Sequence, residues 1–549
     1  MGERSKLMKD FWRGGELFVW MTASGVALSL LMVAGMLGLI MINGLGQFWP
    51  GALQETTLKT QETVIGQVVG EEVIPNSITP DSPTGQRRFR YRVGNRDVFG
   101  SEYRWINAAD IVSSAHPEDL TLVERREWGP AFGRITVGVE GAATGSASGS
   151  SWTTVKTLVE RANQLRRRIE HLERDEIGSI NYRIEKARLA RHALTLGGRL
   201  APGDAEKDQR LLDQITALER DYLVKTEALE RLHKEAGQEV LFLTVSTGRS
   251  VRLSLDQVLA VSRPNGMHWG EKLLAYVQSL WLFVSTEPRE ANTEGGIFPA
   301  IFGTVLMVFL MTLAVMPFGV MAAVYLREYA NQGLLVRLVR IAVNNLAGVP
   351  SIVFGVFGLA FFVYALGGTI DQWLFPEALP NPTFGTGGIL WASLTLALLT
   401  VPVVIVATEE GLSAVPRDFR EGSLGLGATK FETLRHVILP CALPGILTGL
   451  ILAMARAAGE VAPLMLTGVV KLAPALPLDE YLPFLHLDRK FMHLGFHIYD
   501  VGFQSPNVEA AKPMVYMTTL ILILVVVLLN WAAVRLRNRL RRRFTASAV

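Results

Sequence analysis

Hydrophobic positions along the chain fall into two regimes. Residues 18–42 form one apolar run, a long mixed stretch follows, and further apolar runs fill 297–549. Runs of about 20 apolar residues match the thickness of a bilayer core. The pattern predicts about six spans, at 18–42, 297–325, 342–366, 388–408, 442–469 and 514–534. The expected fold is mainly α, a polytopic membrane protein. The first run is too long for a signal-peptide apolar region and lacks a small-x-small cleavage site, so it reads as an anchor.

Residues 51–296 interrupt this pattern with an α+β insertion. Alternating stretches such as RRFRYRV (87–93) and FGRITVGV (132–139) predict strands within 56–140, and GAATGSASGSS (141–151) reads as a linker. From 152 the period becomes helical. Val155, Leu158, Ala162, Leu165, Ile169 and Leu172 recur at 3-4 spacing, the register slips, and the pattern resumes at Ile177, Ile180 and Ile184. LGGRLAPGD (196–204) breaks it. Leu211, Ile215, Leu218, Tyr222, Leu229 and Leu232 restart it, with Lys225 at one seam position. Two heptad helices around a Gly/Pro turn predict an antiparallel coiled-coil hairpin over 152–237, each arm reaching roughly 50–60 Å. Strand-like sequence returns at 239–262. EVLFLTVSTGRSVRLSLDQVLAV (239–261) resembles YRVGNRDVFGSEYRWINAADIV (91–112) in its strand–turn–strand shape. Either the insertion contains a duplication or one β-domain is interrupted by the hairpin.

Charge adds orientation. The chain is 49% hydrophobic and 19% charged, and its formal net charge of +3 is too small to suggest a nucleic-acid partner. Arg4, Lys6, Lys9 and Arg13 precede the first run, whose far side lacks Lys and Arg until Lys59. Arg535, Arg537, Arg539, Arg541, Arg542 and Arg543 follow the last run. The positive-inside rule then places both termini in the cytoplasm and 51–296 outside. Three regions result: 1–50 with the first span, the external insertion 51–296, and a membrane core 297–549 with a cytoplasmic loop at 409–441. The single cysteine, Cys441, excludes an internal disulfide, and packing is its expected role.

The cytoplasmic loop carries the most informative local pattern. Thr429 followed by Glu432 has the form of a capping box. Phe431, Leu434 and Ile438 then share a face, and Pro440 is expected to end that helix. Glu421 opens an upstream segment closed by Gly425 and Gly427. Two short helices with an apolar ridge either dock a partner or pack on the protein's own spans.

Glu421, Gly427, Val437, Leu439 and Pro440 resemble the EAA loop of ABC-importer permeases, with Gly422 and Ser423 in place of the two alanines and Val437 in place of isoleucine. NNLAGVPSIVFGVFGL (344–359), TEEGLSAVPRDFREGSLGLGATKFETL (408–434) and ARAAGEVAPLMLTG (455–468) together resemble the PstA family of phosphate-uptake permeases over about 297–540. Glu460, Ala462, Pro463 and Leu464 suit that family better than its sister, PstC-like permeases. The resemblance implies an ABC type I importer permease fold. It also implies that Glu421, Gly427, Thr429, Phe431, Leu434, Leu439 and Pro440 form a coupling helix seated on a partner ATPase. The implied partners are a PstC-like sister permease, a PstB-like ATPase dimer and a PstS-like external phosphate-binding protein, with membrane lipid around the core. No cofactor is expected in this chain, since ATP and Mg²⁺ would sit on the ATPase.

Arg456 and Glu460 lie four apart and, by residue count, near the bilayer midplane of the fifth span. A charge there costs at least about 2.5–3.5 kcal/mol, so it faces a partner or a wet path. Arg presents a planar fork suited to phosphate oxygens, which makes the pair the candidate substrate path. The alternative is an ion pair that fixes helix register. Gly348, Pro350 and Pro402 are hinge candidates, or simple kinks. Asn344 and Asn345 suit inter-helix hydrogen bonding. GLGATK (425–430) lacks P-loop spacing, and no zinc or G-x-S-x-G signature occurs, so no catalytic residues are assigned and the chain is not expected to be an enzyme. His486, His493 and His497 read as a surface segment rather than a metal site. The leading expectation is a phosphate permease. A permease for sulfate or molybdate and a membrane-anchored envelope scaffold presenting the hairpin are the alternatives.

Overall fold

The computed structural model describes residues 16–74, 86–139, 152–196, 204–505 and 508–545. The 141–151 linker, the basic residues 4–13 and most of the 196–204 turn lie outside them. Among the described residues, six helices are long and apolar enough to cross a membrane: Phe18–Gly46, Phe298–Tyr329, Ser351–Leu374, Ile389–Ser413, Lys430–Ala458 and Ala511–Arg539. The fourth is the hub. Met307, Met311 and Val315 of the second span and Leu450, Ala453 and Ala457 of the fifth pack around Leu396, Leu399 and Val404. Small residues allow this closeness. A Cβ on Gly445 would lie 2.7 Å from the Gly411 Cα, and one on Gly449 would lie 2.3 Å from the Ala407 Cβ. The first span touches the last, where Gly44 meets the Met517 backbone.

Two spans depart from their expected limits. The third begins at Ser351 rather than 342, because Pro350 lacks the N–H a helix interior needs and instead stands just before the first turn. Asn344 and Asn345 belong to the preceding helix, Leu334–Leu346. The fifth spans Lys430–Ala458 rather than 442–469. Pro440 does not end its helix: the π-turn Leu434–Ile438 lets Lys430–Thr433 run on into Leu439–Ala458. The chain then reopens at Gly459 into a short helix, Ala462–Thr467.

In the insertion, β1 (Gln54–Leu58), β2 (Thr63–Val73), β3 (Arg87–Arg92), β4 (Tyr103–Asn107) and β5 (Ile111–Ala115) form one antiparallel sheet in the order β4-β3-β2-β1-β5. A second follows with β6 (Thr121–Arg125), β7 (Ala131–Val139), β8 (Glu239–Thr244), β9 (Ser250–Ser254) and β10 (Val258–Ser262), in the order β10-β6-β7-β8-β9. Read from the other edge, the second order is that of the first. Each unit also places a 3₁₀ turn, Ala108–Asp110 or Leu255–Gln257, before its last strand. One glycine repeats as well. A Cβ on Gly66 would strike the Arg92 carbonyl at 2.5 Å, and on Gly133 the Thr244 carbonyl at 2.4 Å. The insertion is therefore both duplicated and interrupted, since the hairpin enters the second unit between β7 and β8.

The hairpin comprises Trp152–His171, a π-turn at Leu172–Ile177, Gly178–Thr195, and the returning Asp204–Gln238. The π-turn falls where the heptad register slips. Ile180, Ile184 and Ala187 bury against Ile215 and Leu218, and Lys225 pairs with Glu176 across the seam.

Candidate functional site

The loop at 409–441 folds into a V. Arg417–Gly425 is its first helix, with Glu421 exposed on it. Gly427, at φ 89°, turns the chain where a side chain would be strained. Thr429 then opens the second helix. Its N–H donates to Glu432 Oε2 at 2.8 Å and its Oγ1 accepts from the Glu432 N–H at 3.3 Å, the reciprocal cap its spacing predicts. Ser423 and Thr433 hydroxyls, 2.9 Å apart, close the V. Arg420 anchors it to two spans, pairing with Glu328 at 2.6 Å and donating to the Leu412 carbonyl at 2.6 Å.

The V divides the predicted ridge in two. Leu434 and Ile438 are buried against Leu412, Val415, Ala442 and Ile446, so they hold the loop rather than present it. Leu439 and Pro440 are half-buried. Phe431 stays exposed, joined by Phe419, Leu424 and the 92% exposed Leu426. Sequence reasoning passed over these last three because they lie before the capping box, where no helical repeat marks them. Cys441 is exposed rather than packed, since the helix turns that position away from Leu412 and Ile446.

Arg456 and Glu460 do not share a helix face. Arg456 occupies the last turn of Leu439–Ala458, Glu460 lies past Gly459, and their Nε–Oε1 distance is 3.6 Å. Both side chains are partly exposed, at 37% and 22%. Arg456 stands roughly 26 Å along the helix from Leu439, towards the end remote from the V rather than at mid-span. There the N–H groups of Gly459 and Glu460 donate to the Arg456 and Ala457 carbonyls at 3.2 Å, closing the helix beside the charged pair. Gly348 and Pro350 sit together in the turn between Leu334–Leu346 and Ser351, while Pro402 is buried within an unbroken helix. The hinge candidates are thus not brought together.

The histidines leave the surface. His493 and His497 are fully or nearly buried, and burial pushes their pKa values down to about 3 and about 4. His486 pairs instead with Asp479 at 2.8 Å. Among the described residues no cluster of three or more His, Cys, Asp or Glu is arranged to hold a metal.

Residues 315–542 match the family model described as binding-protein-dependent transport system inner membrane component. A probable ABC transporter permease of Bacillus subtilis, YqgI, is 31% identical over 270 residues, covering 48% of this chain and 85% of that protein. The phosphate transport system permease protein PstA 1 of Mycobacterium tuberculosis is 34% identical over 250 residues, covering 45% of this chain and 72% of that one. PstA of Yersinia pestis is 36% identical over 191 residues, or 35% of this chain and 59% of that one. The MetNI methionine ABC transporter aligns at 18% identity and a TM-score of 0.33, over 48% of this chain and 98% of that one. The family match lies within the membrane core and leaves the insertion outside it. The chain is a multi-pass inner-membrane protein that belongs to the binding-protein-dependent transport system inner membrane component family, the ABC-importer permeases, and within it is PstA-like.

Proposed function

We propose that this chain is the permease subunit of an importer that moves inorganic phosphate inward. Its 34% identity to a phosphate permease over 72% of that protein's length carries the reading. ATP hydrolysis takes place on partner ATPases, which hold the nucleotide and Mg²⁺, and a PstC-like sister permease completes the path. A PstS-like binding protein delivers the ion to the side bearing the insertion, with both termini in the cytoplasm. The docking V and the Arg456–Glu460 pair are joined by one helix, Leu439–Ala458. Tilting that helix at the V swings the guanidinium at its far end, and the permanent charge of Arg suits a phosphate oxygen at the moment of passage. Glu460 keeps the anion from binding too tightly to leave.

The complete complex in ATP-loaded vesicles tests this with labelled phosphate. Saturable uptake insensitive to excess sulfate or molybdate is expected, and uptake of either of those ions in place of phosphate overturns the substrate. Arg456→Gln should lower phosphate uptake at least about tenfold, the order of one lost charge-assisted hydrogen bond, while the subunits still copurify. Unchanged uptake by that variant removes Arg456 from the path.

A further inference from the structure

The helix Trp269–Ser285 wears its apolar side outward. Trp269, Leu273, Leu274, Val277 and Trp281 share one face and are 71%, 40%, 70%, 57% and 68% exposed. The opposite side, with Ala275, Gln278 and Ser279, lines a 430 Å³ cavity under the β-units that also holds Arg92, Glu124, Arg289 and Glu294. A row of large apolar side chains outside a folded insertion marks a non-aqueous neighbour.

The position of the helix identifies that neighbour. Its C-terminal end is tied to the start of the second span, where the Ile297 N–H donates to the Phe283 carbonyl at 2.8 Å. Its middle and end meet the chain just past the first span: Tyr276 lies 5.8 Å from Trp49 and Phe283 lies 5.1 Å from Phe48, ring centre to ring centre. Leu280, Phe283 and Val284 also pack in one cluster with Met514 and Met517 of the last span. These contacts run from 276 to 284, roughly 12 Å of helix. A helix touching the ends of three spans over that length lies across them. Trp49 and Phe298, at those span ends, are exposed as well. Tryptophans near both ends suit the headgroup boundary, where an amphipathic ring has apolar and wet surroundings at once.

We infer that Trp269–Ser285 is an interfacial helix, seated in the bilayer leaflet where the first span ends and the second begins, with its Leu273–Val277–Trp281 face on phospholipid. It holds the β-units against the membrane, and this holds whatever ion the core carries.

Single cysteines at Leu273, Leu274 or Val277, in a chain with Cys441→Ser, carry a fluorophore in phospholipid nanodiscs. Leu524 in the last span and Thr247 in the β8–β9 turn serve as lipid and water controls, both being exposed. Nitroxide lipids labelled near the headgroup should quench the three outward positions at least twofold more than nitroxides deep in the acyl chain, while Thr247 responds to neither. Quenching by aqueous iodide but not by nitroxide lipid overturns the inference. So does shielding from lipid that appears only when a sister permease is copurified, which makes the face a protein interface.

Discussion

Glu294 shows how much one side chain's setting lies beyond its sequence. It stands in the short strand Glu294–Gly295 just before the second span, facing the cavity that Arg92, Glu102, Arg289 and Glu290 also line. Burial lifts its pKa from 4.5 to about 7, although Arg92, 3.8 Å away, and Arg289 pull the other way; Glu290 and Glu102 add to the rise. Burial raises Glu124 in the same cavity. The sign follows from proton counting. Between pH 4.5 and about 7 the folded junction binds more protons than the unfolded chain, so its stability falls as pH rises through that window and levels off above it. Hydrogen exchange across 286–296, corrected for its intrinsic pH dependence, should report more opening at pH 8 than at pH 5.5. Glu294→Gln should flatten that difference, and a variant keeping the full dependence would assign it to another group. Sequence alone gives no hint of this, because Glu294 belongs to no periodic face and, besides Arg289 and Glu290, its charged neighbours are Arg92 of β3 and Glu102 just before β4, far back in the chain.

Much of the candidate docking element was legible at the scale of the element, and its limits are instructive. Thr429 and Glu432 announce their cap through local hydrogen bonds that need no partner, and Gly427 marks the left-handed turn between the helices. Periodicity could not separate Phe431 from Leu434 and Ile438, because an apolar stripe looks the same whether it meets a span or a partner. Leu412, in the last turn of the fourth span, and Val415, just past it, decide it. Pro440 misled for a different reason: the rule that proline ends a helix assumes i→i+4 bonding upstream, and the π-turn removes that condition. The two classes of residue should respond differently. Leu426→Asp and Phe431→Asp should weaken ATPase binding by about 30-fold, an interface loss of ~2 kcal/mol, without altering thermal stability. Leu434→Ala should instead destabilise the core by roughly 2–5 kcal/mol through the cavity it leaves. Paired affinity and melting measurements on the three variants check this, and unchanged binding in the first two would move the docking surface elsewhere.

Across the whole molecule, the hairpin's heptads were readable but its destination was not, because the residues it lands on are polar, aromatic and far away in the chain. Its first arm lies on the core's own loops. Tyr182 stacks on Tyr481 at 4.5 Å and donates to the Leu482 carbonyl at 2.9 Å. His192 Nδ1 lies 2.6 Å from the Glu377 carbonyl, and Arg174 pairs with Glu287. Glu377 belongs to the connection between the third and fourth spans, and Tyr481 to that between the fifth and sixth. One rigid arm therefore bridges two loops whose helices must move relative to each other if the core changes shape. The aromatic stack and the two hydrogen bonds are together worth about 2–3 kcal/mol, so removing them should raise the undocked population roughly 30- to 150-fold. Spin labels at Ala190 and Glu480 measure it. The native chain should give one narrow distance, and the double variant Tyr182→Ala, His192→Ala a broad distribution extending to longer separations. A narrow distance that survives the double substitution would mean that the Arg174–Glu287 pair and the β7–β8 base fix the arm on their own, leaving the tyrosine contact no part in holding the two loops together.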